Sequence, residues 1–120
     1  MNPALCVRLG AGFMFLAVGL GAFGAHALKT RLSPEMLAVF ETGVRYQIYH
    51  ALALLLLAAL RGPGKAAWCF AVGIVLFSGS LYLLALTGFK KWWAVTPIGG
   101  VLFLIGWLIV LFGRDASAEW

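Results

Sequence analysis

Long apolar runs separated by short polar connectors set the pattern of this chain, and most runs carry their own start and stop signals. Arg8 precedes a glycine-dense run from Leu9 to Ala25, which Lys29 and Arg31 close. The Ala25-His26-Ala27 step is similar to a leader-peptide cleavage site, but further spans follow, so we read a retained first helix at about 4–27. Ser33-Pro34-Glu35 is a matched helix start, because serine caps free N–H groups and proline suits the first turn. The helical pattern then continues to about Leu60, roughly 40 Å of rise against a hydrocarbon core of about 30 Å. We therefore expect an interfacial helical segment at 34–45 leading into a second span at 46–60. Arg61-Gly62-Pro63-Gly64-Lys65 is a turn, and a third span follows at 66–87. Lys90-Lys91-Trp92-Trp93 supplies lysines for headgroups and a tryptophan pair for the aromatic belt. Thr96-Pro97 repeats the cap-plus-proline signal and opens a fourth span at 96–113. Short connectors favour neighbouring antiparallel helices. The predicted architecture is a single transmembrane domain: an all-α, integral membrane four-helix up-down bundle.

Small residues recur along these spans at intervals that return to one helix face. Gly12, Gly19 and His26 form one seven-residue series, and Ala17, Gly21 and Gly24 form a second stripe on the same helix. Gly73, Ser80 and Thr87 mark the third span, and Gly99, Gly106 and Gly113 mark the fourth. Such stripes let backbones approach closely in lipid, where helices have no hydrophobic drive to associate. We expect the seven-residue series to pack the bundle internally. The stripe at Ala17, Gly21 and Gly24 is left for a second copy or another membrane partner.

Composition confirms the solvent. Hydrophobic residues make up 63% of the 120-residue chain and charged residues 11%, with a mean hydropathy of +1.00. A soluble domain carries about 25% charged residues. The net charge of +5 comes from lysines and arginines in the connectors, which points to lipid headgroups and away from nucleic acid. Arg8, Arg61, Lys65 and Arg114 mark one membrane face and Lys29, Arg31, Lys90 and Lys91 the other, so the positive-inside bias is slight. Cys6 and Cys69 have neither redox nor metal spacing and read as packing residues.

One stretch departs from the pattern. Glu41-Thr42-Gly43-Val44-Arg45-Tyr46-Gln47-Ile48-Tyr49-His50 runs directly into an alanine-leucine run that belongs in lipid. Polar groups at such a place are costly to desolvate, so they pair, face the bundle interior or carry function. Glu41 and Arg45 are an i,i+4 pair, worth a few tenths of a kcal/mol when solvated. Arg45 could equally anchor a lipid phosphate. His26 ends the first span and His50 begins the second in this reading, which puts both towards one membrane face. They could form a bis-histidine haem site or half a metal site, but no further ligand lies on that side to complete a zinc set. The simpler arrangement is a hydrogen-bonded cluster of His26, Tyr46 and His50 between the first two helices. Ser78 and Ser80 read as packing serines, since no strand precedes them to make a nucleophile elbow.

Four segments, Gly21–Lys29, Glu41–Leu55, Gly73–Gly88 and Thr96–Trp107, together resemble the small four-helix bacterial inner-membrane family of unknown function typified by YgdD and YwdK. A small transmembrane protein of eukaryotes is similar too. The resemblance covers nearly the whole chain and implies a multi-pass protein of the bacterial inner (plasma) membrane. It brings no catalytic residues.

The candidate polar cluster is therefore His26, Glu41, Arg45, Tyr46, Gln47 and His50, with no catalytic, cofactor or metal role assigned. We expect a non-enzymatic membrane protein that contacts lipid, fills a structural role or binds a partner, as a homo-oligomer or within a larger complex. A small transporter or channel subunit is the alternative class, with a haem- or metal-binding subunit behind it. A solute path calls for charge or broken helices at mid-depth. Here Lys, Arg, Asp and Glu all fall at the ends of the predicted spans.

Overall fold

The computed structural model describes residues 1–113, so Arg114 and the tail after it lie outside the described residues. Four helices are long and apolar enough to cross a membrane: Pro3–Leu28, Pro34–Leu60, Gly64–Thr87 and Lys90–Phe112. No strand occurs among the described residues. The second and third helices are the more buried pair, and the first and fourth flank them. The result is a flattened bundle measuring 48 × 26 × 17 Å.

Local sequence accounts for most helix ends. Asn2 accepts from Leu5 N–H at 2.8 Å and Ser33 from Met36 N–H at 3.2 Å, each followed by a proline in the first turn. The second helix ends at Arg61, which takes the left-handed conformation with φ 52° and lets Gly62 N–H reach Leu57 O at 2.9 Å. Gly88, at φ 71°, closes the third helix in the same conformation. Thr96 departs from the expected cap. Val95 stands at the cap position, and the Thr96 hydroxyl bonds Ser80 Oγ and Trp92 O instead.

The second helix is continuous from Pro34 to Leu60, including 34–45. Phe40 and Val44 in that early part are buried with Leu28 at the end of the first helix and Ala85 at the end of the third. A second cluster, including Cys6, Leu54, Phe70 and Phe103, fills the other end of the bundle.

Close backbone approach holds the helices together. A side chain at Gly10 would strike Ala51 O at 2.9 Å, and one at Gly99 would run into the backbone nitrogen of Phe77. A Cβ added at Gly73 would come within 2.6 Å of the Phe103 ring, one at Gly106 within 2.6 Å of the Phe70 ring, and one at Gly113 within 2.9 Å of Pro63. Ser80 is buried in the same seam between the third and fourth helices.

The first helix corrects the expected seam. A side chain added at Gly12 or Gly19 would begin in open space, with no other group within 4 Å of its Cβ. The buried series is instead Cys6, Gly10, Ala17, Gly24 and Leu28. Shifting by two residues turns the face by about 200°, so the expected seam points away from the bundle. The stripe reserved for another chain is used internally: Ala17 is buried, and a Cβ added at Gly21 or Gly24 would meet Val44 at 3.4 Å or Phe40 at 2.9 Å. Thr87 is exposed as well, bonding back to Leu83 O at the last turn of its helix, where the chain turns away at Gly88.

Candidate functional site

Half-way along the second helix, the chain buries polar side chains that lipid cannot satisfy. Gln47 is 3% exposed, and its amide donates to Phe13 O of the first helix at 2.7 Å. Its carbonyl oxygen accepts from the Tyr82 hydroxyl of the third helix at 2.6 Å. One glutamine thus ties three helices. A turn earlier, Ser78 donates to Gly43 O at 2.7 Å, through a gap that the absent side chain of Gly43 leaves open. Ser78 ends an i→i+5 turn, Ile74–Ser78, set between Gly73 and Gly79.

His50 stands one turn beyond Gln47 and is 4% exposed. Trp107 of the fourth helix donates its indole N–H to His50 Nε2 at 3.0 Å. An indole can only donate, so Nε2 carries no proton. The ring hydrogen therefore sits on Nδ1, 2.8 Å from Tyr46 O, to which it donates. Both nitrogens of a neutral imidazole are satisfied. The ring lies flat on Phe103, with centroids 3.6 Å apart and planes 6° from parallel, and Phe70 meets it at 5.3 Å.

The two histidines are not brought together. His26 is exposed on the wide turn Gly24–Leu28 at the end of the first helix. His50 stands about 24 Å of helical rise beyond Pro34, in the other half of the bundle. The expected cluster of His26, Tyr46 and His50 is replaced by one joining Tyr46, His50, Phe103 and Trp107. The reason is depth: the second helix begins level with the end of the first, so position 50 lies far from either surface. Among the described residues, no group of three His, Cys, Asp or Glu side chains is placed to hold a metal ion.

Glu41 and Arg45 do pair, at 3.9 Å, with each side chain half exposed or more. They border a groove of about 250 Å³ floored by Gly21, Gly24, Phe40 and Val44, between the first and second helices. Tyr82 and Trp107 are functional residues that sequence reasoning missed. The signal available was chemical rather than positional: a buried glutamine and histidine need donors, and a tyrosine hydroxyl and an indole N–H are donors.

The Glu41–His50 stretch and the third helix both fall within residues 20–100, which match the family described as "Protein of unknown function (DUF423)". The chain belongs to that family. Among its relatives is the UPF0382 membrane protein YwdK of Bacillus subtilis, 48% identical over 112 residues, covering 88% of this chain and 91% of the relative. A UPF0382 membrane protein of Staphylococcus epidermidis is 48% identical over 110 residues, covering 88% and 90%. The UPF0382 inner membrane protein YgdD of Escherichia coli is 45% identical over 109 residues, covering 86% and 82%. No solved structure matches the chain. Family and fold agree that this is a multi-pass protein of the inner membrane.

Proposed function

We propose that the protein works without catalysis, by holding phospholipid at the groove between its first two helices. The observation that carries this reading is the Glu41–Arg45 pair on the rim of an apolar groove. At 3.9 Å the pair is long, and most of the five guanidinium donors of Arg45 stay available for a phosphate. Glu41 lies one turn nearer the start of the helix, hence nearer the membrane surface. That order suits a headgroup whose amine lies outside its phosphate, with an acyl chain along Gly21, Gly24 and Val44. Lipid extracted from protein purified in mild detergent, weighed by mass spectrometry, tests it. Amine-bearing phospholipid should copurify with the wild type and fall severalfold in Arg45→Gln. Equal lipid content in both would refute the reading.

Association with a second copy is a separate reading, favoured by the open face of the first helix. Side chains added at Gly12 and Gly19 would point into open space, which leaves a small-residue surface for another helix. Disulfide crosslinking in native membranes through a cysteine at Gly12, in a chain lacking Cys6 and Cys69, should give a dimer. Monomer alone, at normal expression, argues against it. A solute path has less support, because the buried groups at that depth are the neutral Gln47, Tyr82 and Ser78, already bonded to one another or to backbone, and the nearby Arg45 is exposed on the groove rim and paired with Glu41.

A further inference from the structure

On the groove between the first two helices, two side chains of opposite charge stand one turn apart, and neither satisfies the other. Glu41 Oε2 and Arg45 Nη2 are 3.9 Å apart, whereas a charge-assisted N–H···O bond closes to about 2.7–2.9 Å. A carboxylate accepts at about four lone-pair positions and has no donor of its own. The Glu41 oxygens therefore have room for N–H groups from outside the chain, as the Arg45 fork has for a phosphate. The other residues lining the groove, Gly21, Gly24, Phe40 and Val44, bring no polar side chain.

Three properties of the groove sort headgroups. Charge comes first. The pair is formally neutral, so a headgroup with one cation and one anion can exchange partners with it and leave no charge unmatched. Phosphatidylglycerol brings no cation for Glu41, and phosphatidylserine sets a second carboxylate beside it. Spacing is the second. Side chains one turn apart hold their Cβ atoms about 5–6 Å from each other, which suits an ammonium and a phosphate joined by a short linker. The third is the kind of cation. A trimethylammonium has no N–H, and open aromatic faces are what recognise it. Phe40, the aromatic ring lining the groove, is fully buried, packed against Gly24 and Tyr82. A primary ammonium, with three donors, suits a carboxylate instead.

We propose that Glu41 makes this groove selective for ethanolamine phospholipid, which rests on the reading above that the groove holds phospholipid at all. The primary ammonium donates to the Glu41 carboxylate while Arg45 holds the phosphate. Glu41 is then the residue that sets specificity, and each methyl group added to the headgroup nitrogen removes one donor. Choline lipid, with no donor left, is held by Arg45 and the acyl chain alone.

The test titrates the full chain in mild detergent with phospholipids of identical acyl chains, bearing ethanolamine, dimethylethanolamine, choline or serine, and reads bound lipid by native mass spectrometry. Apparent affinity should fall as methyl groups are added. Choline and serine lipids should bind about three- to tenfold more weakly than ethanolamine lipid, the value of a charged hydrogen bond at a half-exposed site. In Glu41→Leu, which puts an apolar side chain at an exposed position, ethanolamine and choline lipids should bind within about twofold of each other. Equal binding of the two by the wild type overturns the selectivity, as does a preference that survives Glu41→Leu. Affinity that is equal for both lipids yet severalfold lower in Arg45→Gln removes the selectivity and keeps the lipid site. Affinity indifferent to Arg45→Gln removes both.

Discussion

The indole of Trp107 and the imidazole of His50 meet at 3.0 Å, and this contact fixes both the tautomer of the histidine and the position of the fourth helix. Removing either partner leaves the other unpaired in an apolar interior. Trp107→Phe should cost about 1 kcal/mol. His50→Ala, which also strips the face of Phe103, should cost about 2–4 kcal/mol. His26→Ala should stay within about 0.5 kcal/mol, because its side chain is exposed. Thermal unfolding in micelles ranks the three, and a His26 effect as large as that of His50 would contradict the arrangement.

Gln47 and Tyr82 should show energetic coupling. Tyr82→Phe leaves the Gln47 carbonyl oxygen without its donor, for a loss of about 0.5–2 kcal/mol. Gln47→Leu removes the need for that donor. In the double variant the Tyr82→Phe penalty should shrink, and a double-mutant cycle reads the difference. Strict additivity would mean that the bond contributes nothing.

Glycines in the same kind of series should separate cleanly. Gly99→Leu drives a side chain into the backbone at Phe77 and should destabilise the bundle by at least about 3 kcal/mol, or prevent its folding. Gly19→Leu points into open space and should leave the monomer's melting temperature unchanged or slightly higher. The two melting curves decide it.

Arg61 holds a left-handed conformation that its side chain disfavours. Arg61→Gly should therefore stabilise the turn by up to about 1 kcal/mol, net of the extra freedom that glycine gains when unfolded. Chemical denaturation of the two proteins gives the value directly, and a destabilised variant would show that Arg61 earns its place through its charge.

Four spans and most of their ends were legible because lipid makes length and polarity decisive, and because Ser33-Pro34 and Arg61-Gly62 act through local chemistry. The packing face of the first helix was not legible. Gly10, Ala17 and Gly24 recur as regularly as Gly12, Gly19 and His26, and periodicity alone cannot choose between two faces that are both rich in small residues. The polar layer was half visible. Glu41, Arg45, Tyr46, Gln47 and His50 stood out from their neighbours, but their partners Tyr82 and Trp107 lie on other helices, at distances along the chain that no local pattern reports. Reading the stretch as the membrane edge also misplaced His50, because a helix long enough to begin at the surface carries position 50 well past it.

The sequence-neighbour packing of this bundle sets an order of assembly. Contacts between consecutive helices give a low contact order, which favours rapid folding, and a helix can find its neighbour as soon as both have been synthesised. Gln47 can reach Phe13 when the second helix enters the bilayer, and Tyr82 joins with the third. His50 alone must wait, its Nε2 unpaired, until Trp107 emerges near the end of translation. A chain halted before the fourth helix would carry an unsatisfied imidazole at mid-membrane, a mark by which quality-control machinery could distinguish it from the finished protein.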